Sequence, residues 1–477
     1  MSPNTLYIYK LDEVHIKIDC EPSIAQELCD NFTFEVPGAR YMPTFRNKIW
    51  DGKIRLYSTK GGILYGGLLK HTLQFAKKRD YLVQIMSPDE FLPIEKRPLP
   101  ELDLPIIPRE YQLDAINHAV ENEKCILLSP TASGKSLIIY YLIRYYDFPS
   151  LIVVPTTSLV EQLYKDFQSY GFDSEKYCHR IYSGKEKLTD KKIVITTWQS
   201  IYKLKPDFFW RFKVIIGDEA HGFKAKSLTD IMTKLTNCPI RIGTTGTLDG
   251  TKTHTYVLEG LFGPVYEVIT TKKLMEDKYL ANLNIKCIVL QYPESVCKDI
   301  KSFSYPQELE YIVMNEKRNN FIRDLVERLN GNTLVLYQLV EKHGEILYEK
   351  MNELKNKQSF FIHGGVKTDV REKIREGVET NNNSIIVASF GTYSTGINIR
   401  NLHNVVFSSP SKSRIRNLQS IGRGLRITDT KKSANLFDIS DDLSYKSRNN
   451  YTLNHLLERL KIYNDQKFDY TIDKITL

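Results

Sequence analysis

The chain has no run of ~18 consecutive apolar residues and no basic-then-apolar leader, so neither a membrane-spanning helix nor a secretory signal is expected, and the cytoplasm is its expected location. Cysteine is sparse and unpatterned. The seven residues (Cys20, Cys29, Cys125, Cys178, Cys238, Cys287 and Cys297) are odd in number, scattered and without a C-x-x-C pair, which argues against a disulfide framework and against a zinc site and leaves them as core thiols. Acidic residues are almost missing from one stretch. Between Arg40 and Arg79 ten basic residues face a single acid, Asp51, a local net charge of +9. The whole chain carries 66 basic and 57 acidic residues, also +9, so everything outside that stretch is balanced. The length of 477 residues suggests about three domains at ~150 residues each, and 42% apolar residues suffice for ordinary cores.

The basic stretch also holds Tyr41, Phe45, Trp50, Tyr57 and Tyr65, and Trp50-Asp51-Gly52 is expected to turn between two strand-like runs. Cations interleaved with aromatics suit a phosphate backbone and exposed bases, which makes Arg46, Lys48, Trp50, Lys53 and Arg55 candidate nucleic-acid contacts. A solvated charged face on a small domain is the competing reading.

Two phosphate-handling signatures follow. Ser129-Pro-Thr-Ala-Ser-Gly-Lys-Ser136 lies between a short apolar strand candidate, Cys125-Ile-Leu-Leu128, and an apolar helix candidate from Leu137 to Tyr146. It departs from G-x-x-x-x-G-K-[ST] only in Ser129 at the first glycine. Backbone N–H groups of such a loop and the positive end of the following helix surround a β-phosphate, Lys135 reaches the β- and γ-phosphates, and the Ser136 hydroxyl suits Mg²⁺. Lys213-Val-Ile-Ile-Gly217 then delivers Asp218-Glu-Ala-His221 at its carboxyl end. Asp218 would bind the metal through water, and Glu219 would orient and deprotonate an attacking water. The two signatures are expected side by side at one parallel-sheet edge, as in an ATP-driven motor.

After a proline-rich hinge (Pro93, Pro98, Pro100, Pro105, Pro108), strands are expected at 125–128, 151–154, 193–197, 214–216 and 240–244, and a second set at 333–337, 359–362, 384–388, 405–408 and 435–438. Amphipathic stretches between them imply two doubly wound α/β domains in tandem. Residues 447–477 read as polar and helical to about 464, without a legible purpose. The second set has no Walker lysine, yet Gln419-Ser-Ile-Gly-Arg-Gly-Leu-Arg426 reads as a helix placing Arg423 and Arg426 on one face, suited to the charge of a γ-phosphate in transit. Glycines at 422 and 424 weaken such a helix and point to close approach by a neighbour.

These pieces occur in a fixed order. Tyr111-Gln112, Ser129 to Ser136, Val154 to Leu159 with Gln162, Thr196 to Gln199, Asp218 to His221, Thr245-Gly-Thr247, Ser389 to Asn398 and Gln419 to Arg426 together resemble the ordered motifs of superfamily 2 helicases of the DEAH type, over roughly residues 105–440. Phe45 to Arg55, Thr271 to Asp277 and Lys467-Phe-Asp-Tyr470 extend the resemblance, over nearly the whole chain, to tailed-phage recombination helicases of the UvsW type.

The resemblance implies a basic α+β nucleic-acid-binding domain at 1–98, RecA-like domains at 99–272 and 273–445, and a helical extension at 446–477. It implies catalytic roles for Lys135, Asp218, Glu219, His221, Gln419, Arg423 and Arg426. Nucleotide contacts are implied from Tyr111, Gln112 at the adenine, the loop residues Pro130, Thr131, Ala132, Ser133, Gly134, Lys135 and Ser136, and Gly396 with Asn398. Thr156, Thr197 and Gln199 would touch the tracking strand, where hydroxyls and amides position a backbone without reading sequence, and Thr245 and Thr247 would couple γ-phosphate to domain closure. Ser129, Ala132 and Asn398 depart from the commonest family residues and remove no charge needed for hydrolysis. ATP and Mg²⁺ are the implied cofactors. Implied substrates are forks, Holliday junctions, D-loops and R-loops, hence branched, duplex and single-stranded DNA and RNA–DNA hybrids, in recombination, replication and repair within a host cytoplasm. Recombination or single-strand-binding proteins are candidate partners. The competing readings are an RNA helicase, since the motifs distinguish ribose poorly, and a nucleic-acid-binding scaffold with an idle ATPase fold.

Overall fold

The structure, a computed structural model, describes residues 3–396, 399, 401–411, 413–425 and 431–477. The chain forms two compact units, residues 1–129 with 134–268 and residues 130–133 with 269–477.

The first unit opens with a small α+β domain containing β1 (Thr5–Lys10), β2 (His15–Asp19), β3 (Thr33–Glu35), β4 (Lys53–Arg55), β5 (Ile63–Tyr65) and β6 (Leu82–Ile85). Its sheet runs in the order β5-β2-β1-β6, with β1 and β6 parallel and the other pairs antiparallel. Alternation in β2 buries Ile16 and Ile18, and Ile24, Leu28, Phe75 and Ala76 of the Pro22–Asn31 and Leu69–Lys78 helices close the core over them. The expected turn at Trp50-Asp51-Gly52 is not a hairpin turn. β3 and β4 pair antiparallel across residues 36–52, because Pro37, Gly38 (φ +77°) and Pro43 stop the first run from continuing as a strand.

Seven parallel strands follow: β7 (Lys124–Leu128), β8 (Ser150–Val154), β9 (Cys178–Ile181), β10 (Ile193–Thr197), β11 (Val214–Asp218), β12 (Ile240–Thr245) and β13 (Val265–Glu267), in the order β13-β7-β12-β11-β8-β10-β9. β8 and β10 are buried throughout, as continuous apolar strands covered on both faces must be. The proline-rich segment expected as a hinge is packed instead. It has no helix or strand, but Leu99, Leu102 and Leu104 lie on the core, Ile94 N donates to Glu123 Oε1 (2.5 Å) and Arg97 N to the Tyr145 hydroxyl (3.1 Å). Prolines keep the backbone extended, and the leucines between them supply the attraction.

The N-terminal domain is seated on the Lys252–Phe262 helix of this unit. His71 Nε2 lies 2.8 Å from Glu259 Oε2, Thr253 Oγ1 donates to the Glu35 carbonyl (3.1 Å), and the Tyr256 ring packs against Phe34 and His71 at 4.8 and 4.6 Å between centroids. Backbones approach closely here: a Cβ on Gly67 would sit 2.0 Å from the Glu259 carbonyl oxygen. Lys124 Nζ adds a second anchor, 2.9 Å from Glu13 Oε2. The same helix is tied to the turn after Asp218 through Asp249, whose carboxylate accepts from Lys224 Nζ (2.5 Å), from Thr251 N (3.0 Å) and Oγ1 (2.8 Å), and contacts His254 Nδ1. Burial pushes the Asp249 carboxyl up, but these partners outweigh it and hold it at about 2.

The second unit is built on β14 (Asn282–Gln291), β15 (Thr333–Tyr337), β16 (Gln358–Ile362), β17 (Ser384–Ser389), β18 (Asn404–Phe407), β19 (Ser433–Asp442) and β20 (Tyr470–Thr476), all parallel, in the order β16-β17-β15-β18-β19-β14-β20. β14 and β20 are additions to the expected set. Helix is found over Tyr451–Asp465, and the residues after it return as β20, so the C-terminal segment is a working part of this sheet. A buried ion pair and a buried carboxylate hold it. Arg459 donates to both Asp438 oxygens (2.8 and 2.7 Å), and Glu308 accepts from the N–H groups of Tyr451 (3.0 Å) and Thr452 (2.7 Å) at the helix start. All seven cysteines are free thiols, and all but Cys20 are buried.

Gly67→Ala should unseat the N-terminal domain, since backbone rather than a flexible side chain occupies the space a methyl needs. The expected loss is about 1–3 kcal/mol or more, read as a lower melting temperature with new protease sensitivity, while Gly364→Ala, which meets nothing within 4 Å, leaves melting unchanged. Asp249→Asn should lower the melting temperature at neutral pH. Because the native carboxyl is depressed below its unfolded value near ~3.9, its stabilisation is complete above that pH, and the gap between variant and parent should close as pH falls from ~4 towards 2.

Candidate active site

The phosphate-binding signature begins at the carboxyl end of β7 and runs into the Lys135–Tyr146 helix, nine of whose residues are buried. Gly134 stands at its N-cap with φ +83°, and a Cβ there would sit 2.3 Å from Gln112 Nε2, so conformation and space both require glycine. Ala132 also takes a left-handed φ of +69°, which costs an alanine strain of order 1 kcal/mol. Lys135 Nζ donates to the Ser129 carbonyl (3.3 Å), Ser133 Oγ to the Pro130 carbonyl (2.7 Å), and Ser136 Oγ lies 2.9 Å from the Tyr170 hydroxyl. Thr131 completes the loop between Pro130 and Ala132.

Asp218 and the loop stand at the carboxyl ends of two strands of one parallel sheet, β11 and β7, with one strand between them. β12 lies between β7 and β11 and pairs with both. That insertion supplies partners: Thr244 Oγ1 donates to Asp218 Oδ1 (2.7 Å), Ser129 N donates to the Thr245 carbonyl (2.8 Å), and His221 Nδ1 lies 3.0 Å from Thr245 Oγ1 and 3.3 Å from Glu219 Oε2. Thr245 Oγ1 in turn donates to the Thr247 carbonyl (3.0 Å), and Thr247 is buried. Glu219 takes a left-handed φ of +52° at the strand-to-turn corner. Burial, and then the neighbouring Glu219 charge, raise the Asp218 carboxyl, against the opposing pull of Lys135 and Thr244. Two carboxyls crowded beside one ammonium are an arrangement that a divalent cation relieves. One hydroxyl, one carboxylate, phosphate oxygens and water are an oxygen set that Mg²⁺ accepts.

Gln112 is buried against the loop, its Oε1 accepting from Arg109 N (2.9 Å) and its Nε2 donating to the Gly134 carbonyl (3.5 Å), while the Tyr111 hydroxyl accepts from Arg109 Nη1 (2.8 Å). Tyr170 and Thr244 join the site without carrying any sequence signal, since each acts through its position opposite a motif residue, and Arg109 joins it as the N-cap of the helix that carries Tyr111 and Gln112.

Of the expected strand contacts, Gln199 is exposed on the Trp198–Ile201 helix, Thr156 caps the Thr157–Ser169 helix by accepting from Leu159 N (3.4 Å), and Thr197 is buried with its hydroxyl 2.9 Å from Ser200 Oγ. Arg46, Lys48 and Lys53 are exposed, Arg55 is paired with Asp51, and Trp50 is half-buried with its indole N–H donating to the Lys53 carbonyl (2.8 Å). In the second unit Gly396 ends the Phe390–Gly396 helix, and Gln419 and Arg423 lie on the Arg414–Gly424 helix. A Cβ on Gly424 would meet Val405 at 3.0 Å, the close approach that its glycine suggests. Asn398 and Arg426 lie outside the described residues. Among the described residues no cluster of three or more His, Cys, Asp or Glu could hold a metal, and no helix is long and apolar enough to cross a membrane.

Three family descriptions match: "DNA helicase UvsW, N-terminal" over residues 7–86, "Type III restriction enzyme, res subunit" over 105–250 and "Helicase conserved C-terminal domain" over 317–428. The ATP-dependent DNA helicase uvsW of Enterobacteria phage T4 is 34% identical across 98% of each chain. The DNA 3'-5' translocase XPB2 of Sulfurisphaera tokodaii is 26% identical over 50% of each. The crystal structure of T4 UvsW aligns over 99% of both chains at 31% identity with a TM-score of 0.49. The type ISP restriction-modification enzyme LlaBIII bound to DNA covers 79% of this chain, which spans 32% of that one, at 15% identity and a TM-score of 0.58, a likeness of fold. With the Walker loop, the Asp-Glu-Ala-His corner and both seven-stranded sheets in place, the chain belongs to the UvsW family of superfamily 2 ATP-dependent DNA helicases.

Proposed function

We propose that this helicase couples ATP hydrolysis to movement on branched DNA: forks, Holliday junctions, D-loops and R-loops in phage recombination, replication and repair within the host cytoplasm. The observation that carries the reading is that Lys135, Ser136, Asp218 and Glu219 fall in one compact unit, with a basic N-terminal domain seated on it backbone to backbone.

In this reading Lys135 leaves the Ser129 carbonyl for the β- and γ-phosphates and neutralises charge as the bond to ADP lengthens. Glu219 aligns a water in line with that bond and takes its proton as the water oxygen attacks phosphorus. His221, against both Glu219 and Thr245, ties the state of that carboxylate to β12. Mg²⁺, when bound at Ser136 and Asp218, supplies charge neutralisation between the phosphates. Arg423 and Arg426 would add positive charge at the γ-phosphate, with Gln419, Gly396 and Asn398 around the nucleotide. Gln112 holds the loop in shape and would read adenine by exchanging its bonds to Arg109 and Gly134. The exposed cations of residues 46–55 would hold the DNA backbone, which fits duplex, single strands and RNA–DNA hybrids alike; recombination or single-strand-binding proteins would meet the enzyme on that DNA.

ATP turnover measured with single-stranded, duplex, forked, four-way, RNA–DNA hybrid and RNA substrates should be highest with forks and four-way junctions. A response to RNA alone would replace the DNA assignment, and no response to any of them would leave a scaffold. Lys135→Ala should weaken nucleotide binding, whereas Glu219→Gln should keep binding while turnover falls by ~10² or more, which a nucleotide titration separates from turnover. Neutralising Arg46, Lys48, Lys53 and Arg55 together should flatten the log–log salt dependence of DNA affinity by ~0.9 for each duplex phosphate that is no longer neutralised, with Arg55 adding least because Asp51 already holds it.

A further inference from the structure

Residues 36–52 leave the N-terminal domain between β3 and β4 as a self-supporting loop. Its base is closed by β3–β4 pairing and by Val36 N donating to the Gly52 carbonyl (2.8 Å). Inside it, Ile49 N and Trp50 N both donate to the Thr44 carbonyl (2.9 and 3.2 Å), and the Phe45 ring lies so near Gly52 that a Cβ there would be 3.1 Å away. Trp50, expected to stack on a base, is engaged in this framework through the Lys53 carbonyl. The apolar side chains that the loop leaves to solvent are others: Ile49 is 76% exposed, Tyr41 63% and Met42 41%. Lys48, held at φ +57°, is the corner that presents Ile49.

Ile49 and Tyr41 are both largely exposed on this one small loop, and the charged residues of the loop are almost all of one sign. Arg40 lies over the Tyr41 ring at 4.9 Å, Arg46, Lys48 and Lys53 are exposed, and Asp51, the one acid of the stretch, is taken up by Arg55. A grip on phosphates alone has no use for exposed apolar side chains. An apolar tip inside a cationic collar is the pattern with which proteins pry apart stacked bases, the collar holding the backbone while aliphatic or aromatic side chains enter between bases. Unstacking costs least where pairing already ends, at a branch point.

We propose that the 36–52 loop is a wedge for branched DNA, with Tyr41 and Ile49 entering against the last base pair at the junction. The inference rests on the DNA-helicase reading above and adds to it the place and side chains of strand opening. The loop is built before DNA arrives, so ordering it costs little on binding.

The test uses the full chain without nucleotide, and a fork carrying 2-aminopurine in the base pair at its branch point. Saturating parent protein should raise the fluorescence as the base unstacks. Tyr41→Ala with Ile49→Ala should abolish most of that rise at saturation and weaken fork affinity ~10-fold, the scale of one base–aromatic stack, while affinity for unbranched duplex stays within ~2-fold. Its melting temperature should match the parent, because both side chains are exposed. An equal fluorescence rise in the saturated variant, or equal losses on fork and duplex, overturns the wedge; in that case an acidic protein segment becomes the occupant that fits the patch. If the parent's ATP turnover responds to no DNA, the functional reading itself fails, a result read independently of the fluorescence.

Discussion

Parallel pairing of β12 with β7 on one side and β11 on the other is the constraint on which the nucleotide site rests. The register sets Thr245 beside Leu128, at the mouth of the phosphate loop, and Thr244 beside Asp218. Alternation then divides the labour of the strand: Thr244 reaches Asp218 and Thr245 meets His221, while Gly243 admits a close neighbour, a Cβ there falling 2.9 Å from that of Ala220. Further down, the buried Arg241 donates to the carbonyls of Leu261, Leu235 and Met232, gathering two helix ends into the same strand. A displacement of β12 by a fraction of a hydrogen bond would be felt at loop, carboxylates and helix ends together.

The Lys252–Phe262 helix extends that linkage outward. It begins at the Asp249 cluster, which also holds Lys224 of the turn after Asp218 and Glu219, and along its length it meets Glu35, Phe34, His71 and Gly67 of the N-terminal domain. The basic domain therefore lies along the whole of one rigid element about 16 Å long at ~1.5 Å per residue, whose first turn is also tied to the Asp218–Glu219 corner. Such a connection transmits position and permits little independent swing.

Most of the nucleotide site is legible in the sequence because phosphate binding dictates local residues: a glycine where a left-handed turn faces the loop, a lysine, a hydroxyl and an acid at a strand end all leave fixed signatures. Strand order is not legible, since β12 enters between β7 and β11 by a crossover that no local pattern encodes, and with it goes Thr244 as the partner of Asp218. Tyr170 is invisible for the same reason. β20 escapes notice because it alternates with polar residues, as Asp473 does, and lacks the apolar run that marks the central strands, whereas β14 carries such a run at Cys287–Leu290 that the expected set of strands omits. The basic stretch is legible as charge but not as shape. Pro37, Gly38 and Pro43 turn an expected hairpin into a folded loop, and that folding decides which side chains face water.

The pairing of β20 with β14 has a consequence for how the protein is made. β14 begins at residue 282 and waits for residues 433–442 to cover one flank and for residues 470–476 to cover the other. The first unit is complete soon after residue 268 has emerged from the ribosome, whereas the second cannot close its sheet until residue 476 has followed. At ~5–20 residues per second the interval is about ten to forty seconds, during which a finished ATP-binding half coexists with an unfinished partner whose strand edge is exposed. Lys286, exposed on β14, places a charge on that edge during the wait, and Asp473 and Lys474 put charge on the outer strand once β20 has paired.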